Sequence, residues 1–251
     1  MFKTFINSED ERLRDFIQRL PEIFDRSGDV VYEGRRNILK KFTVDGQVVN
    51  VKRYRIPRWV NRIFYSYFCK TKAKRAYYYP LEIIRRGFES PHPIAYIEEY
   101  RHTLLCRSYF VCQHCTYTHE MREVSEEPLE RSRELLIEFT HYTARLHKAG
   151  IMHKDYSPGN ILYEKIDGKY HFSLVDTNRM KFSSHLGKKE CCASFRRLWA
   201  QTDGFKLMAQ VYAADRGWDE KECETMILDS RKQFWDRYRR RGHNMPFKID
   251  I

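Results

Sequence analysis

Hydrophobic and polar positions alternate through "VVYEGRRNILKKFTVDGQVVNVKRYR", Val30 to Arg55, with the period of two that half-buried strands show. Asp45-Gly46 interrupts the stretch with a dipeptide suited to a two-residue hairpin turn. The pattern predicts three antiparallel strands, with Lys52 near the end of the third. On either side the period changes. "SEDERLRDFIQRL", from Ser8, reads as a short helix with Ser8 as N-cap and acids in its first turn. Trp59, Ile63 and Tyr67, and with them Val60, Phe64 and Phe68, recur at helical spacing and predict an amphipathic helix with a basic flank. "LEIIRRGF" predicts another helix that stops near Gly87, and "PIAYIEEY" and "TLLCRSYFVCQ" predict two further strands. Pro128 precedes a long helix, "LERSRELLIEFTHYTARLHKAG", closed by Gly150. "KYHFSLVDTNR" then gives a strand ending in Asp176, and from Lys188 the chain reads as helical.

Composition bounds the class. With 251 residues, 42% of them hydrophobic and 15% aromatic, the chain is globular, with room for one large domain or two lobes. It has no uninterrupted apolar run of membrane-spanning length, and "MFKTFINSEDERLRDF" lacks the apolar core of a signal peptide, so a cytoplasmic protein is expected. The seven cysteines, an odd number, fit free thiols in a reducing compartment. A net charge of +12 implies an anionic partner: nucleic acid, an anionic membrane surface or a phosphorylated substrate. Charge does not choose among them.

Chemistry concentrates in "GIMHKDYSPGNILY", Gly150 to Tyr163. Phosphoryl transfer needs a carboxylate to receive the attacking hydroxyl's proton, oxygen ligands for Mg²⁺ and a cation on the nucleotide phosphates. Asp155 fits the first role. Asn160, five residues on, and Asp176, sixteen further and at the end of "FSLVD", are oxygen donors for the metal. Lys52 supplies the cation. The structural alternative is a helix-to-strand turn in which Asp155 and Asn160 make only local backbone bonds; the order of Lys52, Asp155, Asn160 and Asp176 argues against it. His153 reads as a packing and hydrogen-bonding residue.

"HKDYSPGNIL" resembles the catalytic loop of the protein-kinase-like superfamily, "VNVK" its strand-borne lysine, and "LVDTNR" stands at its Asp-Phe-Gly turn. The resemblance spans roughly residues 28 to 215. Departures are plain: Thr-Asn-Arg follows Asp176, no Ala-Pro-Glu segment occurs, and Gly28 and Gly34 are all that remains of a glycine-rich loop. "SPGNIL" is closer to small-molecule kinases, and "GFESPHPIAYIEE" resembles the bacterial lipopolysaccharide core kinases that act on Kdo or heptose. That resemblance implies an α+β, two-lobed protein-kinase-like fold. Residues 1–117 would form the N-lobe and hinge, a five-stranded antiparallel sheet with the basic amphipathic helix inserted, and residues 118–251 a helical C-lobe. ATP and Mg²⁺ would sit in the cleft, contacted by Lys52, Glu82, Asn160, Asp176 and the hinge backbone around Cys112. For the lysine's partner, Glu82 and the position of Tyr78 stay open. The implied activity is ATP-dependent phosphorylation of a sugar hydroxyl on lipid A-core, an anionic glycolipid at the cytoplasmic face of the inner membrane. A kinase of another small molecule or protein, and a non-catalytic pseudokinase module, remain alternatives; no obligate protein partner is implied.

From Lys52 to Pro80 there are nine basic residues, nine aromatics and no acids. Packing on the sheet with solvated charges is one account of this segment. Peripheral membrane contact through residues 56–75 is another, with Trp59, Phe64 and Phe68 beside Arg58, Arg62, Lys70, Lys72 and Lys74. No recognisable nucleic-acid module accompanies it, which sets nucleic acid aside. Cys112-Gln-His-Cys115, with His119 nearby, is half a zinc site at most.

Overall fold

The computed structural model describes residues 1–56, 59–125, 127–248 and 250, without the side chains of Val60 and Asn61. Arg58 and the side chain of Val60, both expected on the basic amphipathic helix, lie outside the described residues. The chain forms two compact units: Met1–Thr116 with Asp176–Asn178, and Tyr117–Val175 with the chain from Arg179 onward.

The first unit holds β1 (Phe2–Ile6), α1 (Arg14–Ile23), β2 (Asp29–Glu33), β3 (Asn37–Val44), β4 (Gln47–Tyr54), α2 (Trp59–Tyr67), α3 (Lys72–Arg85), β5 (Pro93–Arg101) and β6 (Leu104–Gln113). Its sheet runs β1-β5-β6-β4-β3-β2 and has six strands, one more than the sequence pattern predicts. The extra strand is β1, paired from Phe2↔Glu99 to Ile6↔Ala95. As an edge strand with exposed side chains it shows no apolar alternation; main-chain bonds to β5 hold it. Asp45 and Gly46 both adopt left-handed φ, 49° and 76°, as the primed turn of the β3–β4 hairpin requires.

Each face of this sheet buries its own cluster. Val49, Val51, Ile97 and Val111 pack under Leu13, Ile17, Leu20 and Phe24. On the opposite face Tyr54, Tyr96, Phe110 and Cys112 pack with Ala73, Ala76 and Tyr77 of α3. Two helix boundaries differ from expectation. Asn7, not Ser8, accepts the capping N–H, from Glu9, and Ser8 instead opens a 3₁₀ turn. The break after α2 falls at Thr71, whose hydroxyl caps α3 by accepting the Lys74 N–H at 3.1 Å, and α3 then runs through Pro80. A threonine cap that satisfies an otherwise orphaned N–H marks the start more strongly than one missing donor marks an end.

The second unit holds β7 (His119–Glu120), α4 (Leu129–Lys148), β8 (Ile151–His153), β9 (Ile161–Ile166), β10 (Lys169–Leu174), β11 (Met180–Phe182), α5 (Lys188–Ser194), α6 (Thr202–Arg216) and α7 (Glu220–Arg240). Gly150, at φ 72°, turns the chain from α4 into β8. Two small sheets, β10-β9-β7 and β11-β8, frame the loop that follows. Among the described residues no helix is long and apolar enough to cross a membrane.

Candidate active site

The loop of the second unit is tied down residue by residue. The Asp155 N–H donates to His153 Nδ1 at 3.1 Å, which makes that nitrogen the acceptor and leaves Nε2 to donate to the Val175 carbonyl, also at 3.1 Å. His153, 2% exposed, is a neutral structural bracket. Tyr156 is buried, and its hydroxyl meets Thr143 of α4 at 2.8 Å. Asn160 Nδ2 donates to the Asp155 carbonyl at 2.8 Å, which fixes the amide orientation and turns Oδ1 away from that bond. Asn160's own carbonyl accepts the Val175 N–H at 3.0 Å. Asp155 and Asn160 therefore share one rigid frame within this unit.

The Asp155 carboxylate faces two guanidinium groups. Arg197 pairs directly with one oxygen, and Arg179 lies 3.5 Å from the other. Burial lowers the pKa of Arg197 from its ordinary value. A group that starts so high stays charged at neutral pH.

In the first unit Lys52, on β4, pairs with Asp176 at 2.7 Å. Asp176 has φ 51°, a left-handed conformation that a non-glycine residue keeps only when its surroundings over-determine it. Asn178, two residues on, donates its amide to the same carboxylate at 2.5 Å. Behind them the Tyr54 hydroxyl is fully buried; desolvation first, and the Asp176 charge second, push its pKa up and keep it neutral.

One expectation needs correction. Glu82 does not pair with Lys52: Arg85 and Arg86 hold its carboxylate, each at 2.7 Å, and lower its pKa to about 2. Spacings of three and four residues put those arginines on Glu82's own helix face, so local geometry captures it. Tyr78 offers no acid either and lies in the ring cluster of Tyr77, Tyr96 and Phe5. Cys112, expected to serve through its backbone, has its side chain in the core, with the thiol pushed up to about 12 by burial. Any ligand contact there falls to its main chain. Among the described residues no group of three or more His, Cys, Asp or Glu is arranged to hold a metal, so the Cys112–Cys115 pair has no partners for zinc.

Sequence reasoning missed Arg197, Arg179 and Tyr54. Arg179 lies inside "LVDTNR", where a cation next to a proposed metal ligand was a usable signal. Arg197 stands in an arginine-rich helical stretch, and no spacing marks it.

The sequence matches the model of the lipopolysaccharide kinase (Kdo/WaaP) family over residues 22–227. Among solved structures the chain is similar to WaaP in complex with acyl carrier protein, with TM-score 0.65 and 15% identity over 94% of this chain and 98% of that one. It is also similar to the Rio2 kinase-ADP/Mg²⁺-phosphoaspartate complex from Chaetomium thermophilum, with TM-score 0.46 and 18% identity over 93% of this chain and 63% of that one. No curated protein sequence matches it. The likeness to WaaP, with the arrangement of sheet and helices above, makes the fold an α+β, two-lobed protein-kinase-like one.

Proposed function

The chain belongs to the lipopolysaccharide kinase (Kdo/WaaP) family and is a kinase of the lipopolysaccharide core, and on that premise we propose how its own residues carry the transfer. The phosphate donor is ATP with Mg²⁺. Asp176 and Asn160 hold the metal through hard oxygen donors of the kind Mg²⁺ prefers, and when bound the ion neutralises charge on the nucleotide phosphates. Lys52 serves the same phosphates as a point cation, and the main chain of 112–117 contacts the adenine. Glu82 takes no part.

Asp155 orients the acceptor hydroxyl and receives its proton as the oxygen attacks. Two arginines pair with the carboxylate and hold it in one orientation. The His153 and Asn160 bonds fix the backbone beneath it, so little motion is left to lose when the acceptor arrives. The acceptor is a hydroxyl of Kdo or heptose on lipid A-core.

That acceptor is polyanionic and membrane-borne, which suits a chain of charge +12. Residues 56–75 supply the membrane contact at the cytoplasmic face of the inner membrane. Trp59 and Phe68 are 72% and 74% exposed, with Phe64 and Tyr67 exposed beside them and Lys70, Lys72 and Lys74 next in the chain. Exposed aromatics beside cations are the composition of an interfacial helix.

The observation that carries the reading is the Lys52–Asp176 pair at 2.7 Å, with Asp176 held at φ 51°. The groups this reading assigns to the phosphates and to the metal are thus an ion pair, which supports their sharing one site. Transfer of radiolabelled phosphate from ATP and Mg²⁺ to Kdo-bearing lipid A, for the native chain and for Asp155→Asn, tests it. Label that appears with the native chain and is lost in the variant supports the assignment; equal labelling by both removes Asp155 from its role.

A further inference from the structure

A cavity of about 340 Å³ lies wholly within the first unit, away from the Lys52–Asp176 pair. Cross-strand register locates it. Lys52, Phe110, Tyr96 and Phe5 form one rung across β4, β6, β5 and β1, and Tyr54, Ser108, Glu98 and Lys3 form the next. The cavity opens at the β1–β5 end, two to three strand spacings from β4, or roughly 10 to 14 Å. It is therefore a separate site on the same sheet face.

Its lining is cationic and aromatic. Lys3, Lys70 and Lys74 line it with Tyr65, Tyr67, Tyr96 and Tyr100. Among the described residues none of these three lysines has a carboxylate partner. Glu98, the acid in the wall, is buried and engaged: it accepts from Thr71 Oγ1 at 2.6 Å and from the Tyr100 hydroxyl at 3.0 Å. Those bonds, both from neutral hydroxyls, build the floor, and three lysines stand against this one acid in the lining. The N-terminus of α3, capped by Thr71, adds the positive end of a fourteen-residue helix. The excess of positive charge favours an anion such as a phosphate, and the volume, at the lower end for small-molecule pockets, admits one with a group attached.

We propose that this cavity binds the phosphate-bearing headgroup of a membrane lipid. The proposal rests on the reading of residues 56–75 as membrane-facing and deepens it. Tyr65, Ser66 and Tyr67 of α2 line the cavity, while Phe64 on the same helix and Phe68 just beyond its end stand 54% and 74% exposed. A soluble phosphate compound gains nothing from such a rim. Aromatic rings at headgroup depth beside a phosphate site bring the protein's own surface to the lipid.

Sedimentation of the full chain with phosphatidylcholine vesicles, with and without phosphatidic acid, tests this. The cavity variant is Lys3→Ala/Lys70→Ala/Lys74→Ala; the charge-matched control is Lys169→Ala/Lys206→Ala/Lys221→Ala, at exposed positions of the second unit. Circular dichroism checks that both fold. A loss of about tenfold or more in affinity for phosphatidic acid vesicles in the cavity variant, against about threefold or less in the control, is the expected result. Equal losses overturn the cavity site while leaving the membrane reading intact. Native chain that sediments with no vesicle overturns both. Glycerol 3-phosphate that binds the native chain as tightly as the vesicles do makes the occupant a soluble phosphate and overturns the lipid assignment.

Discussion

Asp176 and Asp155 both face positive charge, yet the two are held in different ways. Asp176 sits in a strained left-handed turn and meets one lysine, a compact cation on a flexible stem. Asp155 sits on a backbone braced by His153, Asn160 and Tyr156 and meets two arginines, whose planar forks fix direction as well as charge. On the proposed roles the difference would suit two jobs. A carboxylate that would hold a metal ion benefits from a partner that can move; one that would aim at a hydroxyl benefits from a partner that cannot.

The sharpest way to break this contrast is to remove the carboxylates. Asp176→Ala should abolish phosphate transfer, and Asp155→Asn should lower kcat by about a thousandfold, both read as label reaching Kdo-bearing lipid A. Lys52→Ala should cost about a hundredfold, since the phosphates lose one charge partner while the other ligands stay. Activity kept in any of these three removes that residue from the site.

Arg197→Ala probes orientation. Its guanidinium pairs with one Asp155 oxygen, so its loss frees the carboxylate to turn away from the acceptor. A kcat loss of about tenfold to a hundredfold should follow, with KM little changed and partial rescue in Arg197→Lys. An unchanged kcat would reduce Arg197 to packing.

The root of the loop gives a pH effect on stability. His147, near the end of α4, bonds the Tyr212 hydroxyl at 2.8 Å, and burial followed by the Arg216 charge pushes its pKa from 6.5 down to about 3. Between those values the unfolded chain binds the extra proton, so this stabilisation is whole above pH 6.5 and drains as pH falls towards 3. The native chain should lose about 2 kcal/mol more than His147→Gln between pH 7 and pH 5 in chemical denaturation. The smallest effect belongs to Glu82→Gln. Its carboxylate is engaged by Arg85 and Arg86, so transfer should stay within about twofold and stability within about 1 kcal/mol. A large loss of transfer there would restore Glu82 to the site.

The alternating stretch before Arg55, the Asp45-Gly46 turn, the long helix ended at Gly150 and the sequence of Lys52, Asp155, Asn160 and Asp176 were all legible without coordinates. The first three depend on local rules, side-chain period and left-handed φ, and the last on residue types that a reaction demands in a fixed order, with Lys52 about a hundred residues before the others. Strand β1 was not legible, because exposed side chains on an edge strand leave no pattern and its partner, β5, lies about ninety residues on. The partners of charges were equally hidden. Glu82 could have turned towards Lys52 or towards its own helix, and Arg197 reaches Asp155 across forty-two residues of chain. Sequence by itself determined which groups are present and in what order, since periodicity and turn chemistry act over a few residues. Tertiary structure alone decided which charge meets which, because an ion pair forms where folding brings two side chains within a few ångströms, and spacing along the chain carries no record of that distance.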